Sequence, residues 1–160
     1  MEAIYTLFSQ YLKDFDVFYG FQKINIDEVK NTIAITLTNS EDTSNNVRYS
    51  YNNIEDKYYE NIVTSVTDYI QIDYVTRDIE NSVNNLNLIR SAFASTLAET
   101  IQENMQVKFS TCNQFMNSSE VEGVGYVARY TSRIKVFRHN IIKNEIEYYD
   151  KFTTKNIGGF

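Results

Sequence analysis

The sequence predicts an α+β fold, in which two main helices pack on one face of a mostly antiparallel sheet to give a two-layer domain. Apolar residues recur at helical spacing near the N-terminus and again after residue 78, and segments typical of strands lie between and after them. Of the 160 residues, 42% are hydrophobic, which is enough to bury a core. We therefore expect a single domain over residues 1–152 and a flexible C-terminal tail over residues 153–160.

The first helix is expected over residues 2–15, because apolar side chains there recur at the spacing of one helix face. A strand over residues 17–26 follows, and Gly20 within it indicates a bulge. The apolar stripe of the helix consists of Ile4, Leu7, Phe8, Tyr11, Leu12 and Phe15.

A hairpin with a long loop is predicted over residues 32–51. Residues 32–38 are rich in β-branched side chains and alternate between two faces, as a strand does. Residues 39–46, NSEDTSNN, are polar and predict a flexible loop, from which residues 47–51 return as a short strand. Residues 52–57 predict a further turn.

A long strand over residues 58–75 is expected to lead into the second main helix. Asp68 falls on its mainly apolar side, and we expect this residue near the strand's start, beyond the covered core. Asp78 predicts the N-cap of a helix that runs from Ile79 to Ile101. The apolar stripe of this helix consists of Ile79, Val83, Leu86, Phe93, Leu97 and Ile101.

The last third of the chain predicts mainly strands. Residues 105–115 form a short extended segment, residues 116–125 a loop, and residues 125–140 the clearest strand of the sequence. A hairpin about Lys143 and Asn144 then turns the chain back on itself. Its returning strand places Ile146 and Tyr148 inward.

The second main helix also carries residues that do not favour a helix. Asparagine, a poor helix former, occurs four times in its first half, and Arg90 occupies a place in the apolar stripe. Two explanations stay open for the asparagines: the codon bias of an AT-rich genome, or contact with another protein chain. Arg90 must find a partner or reach water, since an unpaired buried charge is very costly. The candidate subunit interface consists of Asn84, Asn85, Asn87, Arg90, Arg129, Arg133 and Lys135.

The three basic residues of that set form a row on one face of the strand over residues 125–140. A contact with another subunit is one interpretation of this row. The alternative is cross-strand pairing with acids of the same chain, such as Asp68 or Asp73.

No catalytic, cofactor-binding or metal-binding pattern occurs in the sequence, and we expect a protein that is not an enzyme. His139 is the one histidine and Cys112 the one cysteine, and neither stands in a motif with ligand spacing. A small metal-dependent phosphodiesterase is the enzyme alternative. It requires Glu120, Glu122 and His139 to converge.

Charge and hydropathy exclude further classes. The net charge of −6 argues against broad nucleic-acid binding, because phosphate contacts need clustered lysine and arginine. No apolar run approaches the roughly 20 residues of a membrane span, and the N-terminus has no pattern of a cleaved leader.

Two groups of residues carry a resemblance to a known family. A strand ending near Asp73 and Tyr74 leads into a helix, and a loop separates this helix from the late strand. In this arrangement the sequence resembles bacteriophage neck and tail-terminator proteins, best over residues 60–140 and by topology in the N-terminal third. It departs from them in having no proline and in its additional C-terminal hairpin and tail. The matching residues are Asn85, Arg90, Phe93 and Ser95 on the helix, and Ala128, Arg129, Tyr130, Ile134 and Val136 on the late strand.

The resemblance implies a structural virion protein without a cofactor, assembled in the host cytoplasm and located in the neck or tail. It implies a homohexameric ring between the portal-side connector or adaptor and the tail tube, with the sheath protein as a further candidate partner. Such a ring ends tube growth and lets DNA pass without specific binding. The candidate assembly segments are the loop residues Ser40, Glu41, Asp42, Thr43 and Ser44, and the tail residues Ile157, Gly158, Gly159 and Phe160.

Three alternatives remain beside this reading. Another head–tail adaptor or tail-completion protein belongs to the same class. The phosphodiesterase belongs to a different class. A monomeric binding module that uses its tyrosine-rich sheet is the third.

Overall fold

The structure, a computed structural model, describes residues 1–20, 30–112, 114–122 and 125–146; for residues 120–122, 125 and 126 it describes the backbone alone. The fold is α+β with a mixed sheet. In the described part, no helix is long and apolar enough to cross a membrane. The helices are α1 (Glu2–Tyr11), α2 (Ser82–Phe93) and α3 (Thr96–Met105). The strands are β1 (Asp16–Tyr19), β2 (Asn31–Asn52), β3 (Lys57–Thr76), β4 (Val107–Phe109), β5 (Met116–Asn117), β6 (Glu120–Glu122) and β7 (Gly125–Ile146).

The sheet is built around β3, which pairs with two strands as long as itself. The strand order is β1-β2-β3-β7-β4, and the short strands β5 and β6 also pair with β7. β1 pairs with β2 in parallel, and β2 and β7 both run antiparallel to β3. The register of β2 and β3 extends from Asn31↔Thr76 to Asn52↔Lys57.

The hydrophobic core lies between the helices and one end of this sheet. Phe8 of α1 and Ile89 of α2 are fully buried against a core that includes Ile35 and Ile72. The predicted first helix is confirmed, but it ends at Tyr11, four residues before the expected end at residue 15. Leu12 leaves helical geometry with φ −108° and ψ 70°, and the chain then turns so that the ring of Phe15 lies near Tyr74.

The strand expected over residues 17–26 is seen as β1, which ends at Tyr19; residues 21–29 lie outside the described part. Gly20 follows β1 and donates its backbone N–H to the carbonyl of Ile35 at 2.8 Å. A Cβ at this position would collide with Oγ1 of Thr36. Glycine is therefore required here by the close approach to β2.

The prediction of a flexible loop over residues 39–46 is wrong, because these residues belong to β2. They pair with residues 63–69 of β3, and two register shifts, between Leu37 and Asn39 and between Asp42 and Ser44, absorb the irregularity. A long partner strand offers backbone groups to every residue beside it, and that pairing outweighs weak intrinsic strand propensity. The hairpin turn lies instead at residues 53–56, inside the predicted turn at 52–57.

The helix expected from Ile79 to Ile101 is two helices. Asp78 accepts hydrogen bonds from the backbone N–H and the side-chain amide of Asn81, so it closes a turn before α2 rather than capping a helix at residue 79. Ile79 and Val83 are 49% and 62% exposed, which contradicts their placement in the apolar stripe. The first of these helices, α2, ends at Phe93, and Ala94 is its C-cap. Ser95 caps α3 by accepting a hydrogen bond from the backbone N–H of Ala98 at 3.2 Å.

The hairpin expected about Lys143 and Asn144 is also wrong. β7 runs without a turn from Gly125 to Ile146, and Lys143 lies opposite Asn61 of β3. The reason is again the length of β3, whose backbone groups remain available for pairing. Tyr148 lies outside the described residues.

Candidate functional site

The sheet extends well beyond the helices. β3 has 20 residues, which span roughly 65 Å, whereas helices of 10 to 12 residues span about 15–18 Å. The helices therefore cover one end of the sheet, here called the body. At the other end, residues 44–52, 57–65 and 139–146 continue as a three-stranded segment, here called the arm.

One face of the arm continues the apolar face that the helices cover in the body. Ile70 and Ile72 of β3 lie in the core, and alternation along the strand places Ile62 on the same side. Residues directly opposite in neighbouring antiparallel strands share a face, which adds residues of β2 and β7 to this side. This apolar set, here called the arm strip, is Val47, Tyr49, Tyr51, Tyr58, Ile62, Ile142 and Ile146.

Much of the arm strip is open to solvent. Val47 is 46%, Tyr49 70% and Ile142 49% exposed, and no described element covers them. The rings of Tyr51 and Tyr58 contact each other with centroids 4.6 Å apart. A contiguous exposed apolar surface of this kind is typical of an interaction site, in contrast to single scattered apolar residues.

The opposite face of the arm is mainly polar, although Ile141 on it is 60% exposed, and several of its polar side chains are paired within the chain. Nζ of Lys57 lies 2.8 Å from Oε2 of Glu145, and Nζ of Lys143 lies 3.6 Å from the ring centroid of Tyr59. The hydroxyl of Ser65 lies 3.2 Å from Nδ1 of His139. The arm is thus an amphipathic sheet, and the apolar face of such a sheet is usually packed against another part of the protein or another chain.

Both edges of the arm are open among the described residues. β1 pairs with β2 only as far as Ile35, and β4 pairs with β7 only from Val136 to Arg138. Open strand edges present unpaired backbone donors and acceptors, which another chain can pair with.

A half-buried ion pair, between buried Asp68 and partly exposed Arg138, lies where the arm meets the body. Asp68, expected in an exposed place, is 6% exposed, and its carboxylate accepts from Nε of Arg138 at 2.8 Å and from Oγ of Ser40 at 2.6 Å. Burial alone would raise the pKa of Asp68, but the hydrogen bonds from Arg138 and Ser40 outweigh it and lower the pKa below its usual value. Hydrogen bonding to Asp68 raises the pKa of Arg138 in turn.

Asn85 was expected in the subunit interface, but the structure buries it inside the chain, at 9% exposure. Its amide donates to the hydroxyl of Tyr74 at 2.8 Å and to Oδ1 of Asn31 at 3.1 Å. Residue 79 precedes α2, and the buried face of α2 includes Ser82 and Asn85, whereas Val83 lies on the exposed side. A polar pair on the buried face is the reason that the apolar pattern failed there.

The remaining interface candidates on α2 stay at the surface. Asn84 and Asn87 are exposed, and Arg90 is half-buried beside them. Arg90 donates from Nη1 to Oδ1 of Asn87 at 3.0 Å, and its guanidinium lies 5.6 Å from the ring centroid of Phe115. Its Nε is buried and has no hydrogen-bond acceptor among the described residues.

An open cleft of about 190 Å³ lies beside Arg90, at the junction of α2, α3 and the segment after β4. Phe93, Gln102 and Cys112 contribute to its walls. Burial raises the pKa of the Cys112 thiol, so the thiol stays protonated at neutral pH. Arg90 lines this cleft, while its Nε is buried without an acceptor among the described residues, and Cys112 supplies no thiolate there.

The basic row lies on the face of the body sheet opposite the helices. Arg129 lies 3.3 Å from Oδ1 of Asp73, and Nζ of Lys135 lies 5.3 Å from the ring centroid of Tyr69. Arg133 is in register with Gln71. The structure thus pairs Arg129 with an acid of its own chain, whereas Asp68 lies on the other face.

The residues that a phosphodiesterase would need are not brought together. Glu120 pairs with Val127 near the start of β7, and His139 lies 12 residues further along the same strand, roughly 40 Å away. Across the described residues, no group of three or more histidine, cysteine or acidic side chains is placed to hold a metal ion.

The first candidate assembly segment is part of a strand. Ser40 bonds Asp68, Glu41 accepts from the hydroxyl of Tyr69 at 3.1 Å, and Thr43 donates to the carbonyl of Ser65 at 3.0 Å. Asp42 and Ser44 flank a register shift. The second segment, Ile157, Gly158, Gly159 and Phe160, lies outside the described residues.

Neither the protein-family models nor the curated proteins compared with this sequence gave a match. The function proposed below therefore depends on the residues and their geometry.

The arm is the feature that the sequence interpretation missed. The acidic, asparagine-rich residues 39–46 are typical of a loop and hide the continuity of β2. One signal was available: a strand of 18 residues at 58–75 needs partners of similar length, and Val47, Tyr49 and Tyr51 alternate with polar residues as one such partner would.

Proposed function

We propose that this chain is a structural protein of a tailed-bacteriophage virion, a tail terminator or neck protein. Copies of it form a homohexameric ring that joins the head-side connector to the tail tube and lets DNA pass. Its role is to make contacts rather than to catalyse a reaction. The proposal follows the resemblance of residues 60–140, and the arm is the observation that supports it best.

The arm supports self-assembly because, in the described part of the chain, its apolar face is uncovered and its edge strands have no further neighbouring strand. Its apolar strip faces water, and the edges of β2 and β7 lack strand partners within the described residues. A soluble protein that works alone seldom leaves a strip of tyrosine, valine and isoleucine exposed beside open strand edges. A neighbouring subunit supplies both the cover and the ordering of the arm.

The finer architecture belongs to the same proposal. We place the helices in one layer and a mostly antiparallel sheet in the other, with the arm as the sheet's uncovered continuation. The net charge of −6 suits a conduit, because an attractive lumen would hold the DNA phosphates and slow their passage.

The first test is the mass of the purified chain by light scattering, together with negative-stain images. We expect a hexameric ring with a central hole, and an antibody against the chain should label the head–tail junction of intact virions. A chain that stays monomeric at high concentration, or a label elsewhere on the virion, contradicts the proposal.

A second candidate is a monomeric binding module whose arm strip binds a different protein. The cluster of Tyr49, Tyr51 and Tyr58 favours it, since tyrosine is enriched in protein interfaces. The same mass measurement separates the two functions, because the module is monomeric and the terminator is not.

A further inference from the structure

The outward face of α2 is a second surface without a cover. Val83 and Leu88 are 62% and 47% exposed, and Asn84 and Asn87 are exposed beside them. No described element packs on this side of the helix. Asparagines weaken an isolated helix, so a contact on this face would compensate for their low propensity.

Arg90 borders this face and adds a positive charge and hydrogen-bond donors to it. Its buried Nε has no acceptor among the described residues, and Arg90 as a residue contributes to the wall of the cleft between α2 and α3. A buried donor without an acceptor costs free energy. Arg90 is half-buried at the helix surface, and this cost is removed if its guanidinium shifts to bind a carboxylate of another chain. Arginine is suited to this role, because its planar fork binds a carboxylate through two parallel hydrogen bonds.

The two uncovered surfaces carry opposite charges. Arg90 is the one charged residue of α2. On the arm, Glu60 lies within the strip, in register with Tyr49 and Asn144, and it is the one charged residue on that face of the described arm. Among the described residues Glu60 forms no ion pair. Each surface therefore supplies the charge that the other lacks.

We propose that the arm strip of one copy packs on the outward face of α2 of a second copy, with Glu60 bound by Arg90. This inference rests on the self-assembly proposed above and names the surfaces that carry it. Packing two arm strips on each other would instead leave both Arg90 donors unmet, and it would add a second Glu60 to an apolar contact. Since arm and helix are different surfaces, the contact is head-to-tail, and repetition closes a ring when the rotation allows it.

Two variants that each lose one surface test the contact. Tyr49→Asp places a charge on the arm strip, and Leu88→Asp places one on α2; both positions are exposed, so the monomers should fold. We expect each variant alone to be monomeric by light scattering. Mixed in equal amounts they should form a heterodimer, because Tyr49→Asp keeps its helix face and Leu88→Asp keeps its arm. Ile141→Asp, 60% exposed on the opposite face of the arm, is the matched control and should assemble as the wild type does.

The outcomes separate this inference from the proposed function. If the wild type assembles but the mixture stays monomeric, or if Leu88→Asp still assembles alone, α2 is not the partner surface and self-assembly stands. If the wild type is monomeric at every concentration, both proposals fail. Melting curves check that each variant is folded, and Val83→Asp on the same helix face replaces Leu88→Asp if the latter is not.

The charge pair has its own test in the same heterodimer. Adding Glu60→Gln to the Leu88→Asp chain, which supplies the arm, should weaken its affinity for Tyr49→Asp by at least about tenfold, because glutamine keeps the shape of the side chain and removes the charge that binds Arg90. Glu60→Gln added to the Tyr49→Asp chain should have no such effect, because that arm is not used. Equal affinities in the two mixtures would remove Glu60 from the interface.

Discussion

At the scale of single residues, Asn85 shows how a polar side chain on a helix can be part of a core. Oδ1 of Asn31 accepts from Tyr74, Thr76 and Asn85 at 2.9, 3.0 and 3.1 Å. This network ties α2 to the first residue of β2 and to the end of β3. Burial raises the pKa of Tyr74, while hydrogen bonds from Thr76 and Asn85 oppose that rise. The hydroxyl therefore remains protonated and available as a donor.

Asn85→Ala should lower the free energy of unfolding by about 1–3 kcal/mol, because it leaves buried partners without a hydrogen bond. Urea denaturation followed by circular dichroism measures this change. Asn84→Ala, one residue away and exposed, is the control and should stay within about 0.5 kcal/mol of the wild type. Equal effects of the two substitutions would mean that the network contributes nothing to stability.

At the scale of elements, the change of direction between α2 and α3 lets two short helices cover a part of the core that one straight helix would leave exposed. Ser95 sits at the break, where its hydroxyl donates to the carbonyl of Ala92 at 2.6 Å and accepts from the N–H of Ala98. α3 then packs against α1 and leads into β4. The redirection brings Ala98 and Ile101 into the core, with Phe93 and Phe109 in edge contact at 5.9 Å.

Ser95→Ala should destabilise the protein by about 1 kcal/mol, since the first turn of α3 loses its cap. Ser91→Ala is the matched control, because Ser91 is exposed within α2 and alanine favours a helix more than serine does. Thermal melts of the two variants give the comparison. A larger loss for Ser91→Ala than for Ser95→Ala would contradict the assignment of Ser95 as the cap.

At the scale of the whole molecule, the arm is an extension that the body must hold in place. The ion pair of Asp68 with Arg138 lies where the helices end and the arm begins, on the side of the sheet that the helices cover. Arg138 is 41% exposed at its side chain, so solvent screens the attraction in part. The buried carboxylate of Asp68 nevertheless depends on these hydrogen bonds, and its lowered pKa couples global stability to pH.

A carboxyl group whose pKa is lower in the folded than in the unfolded chain stabilises the fold above its unfolded pKa, near 3.8 for Asp68. This contribution is lost as the pH falls through the folded pKa. We therefore expect Asp68→Asn to be less stable than the wild type at pH 7. The difference in free energy of unfolding between the two proteins should become smaller below about pH 4, as measured by denaturation at a series of falling pH values. The control is Asp14→Asn, at an exposed position, which should have the same free energy of unfolding as the wild type at pH 7. If Asp68→Asn were less stable than the wild type by the same amount at every pH, the link between its pKa and stability would be contradicted.

Local patterning in the sequence determined the α+β class and most of the elements of the body. The stripe of Ile4, Leu7 and Phe8 requires a helix over a core, and the alternation in residues 66–74 and 128–136 requires strands with one buried face. These predictions hold because each depends on neighbours within a few residues. The turn at residues 53–56 is determined in the same way.

Only the tertiary structure decided what depends on a distant partner. Residues 39–46 and Lys143 become strand because β3 supplies backbone groups along its full length, which no local pattern reveals. Asn85 is buried and Val83 exposed because α2 turns the side of Ser82, Asn85 and Ile89 inward, where Tyr74 and Asn31 accept from the Asn85 amide. The arm strip likewise exists because short helices end before long strands do. Local propensity costs tenths of a kcal/mol per residue, and pairing and packing across the sheet exceed that.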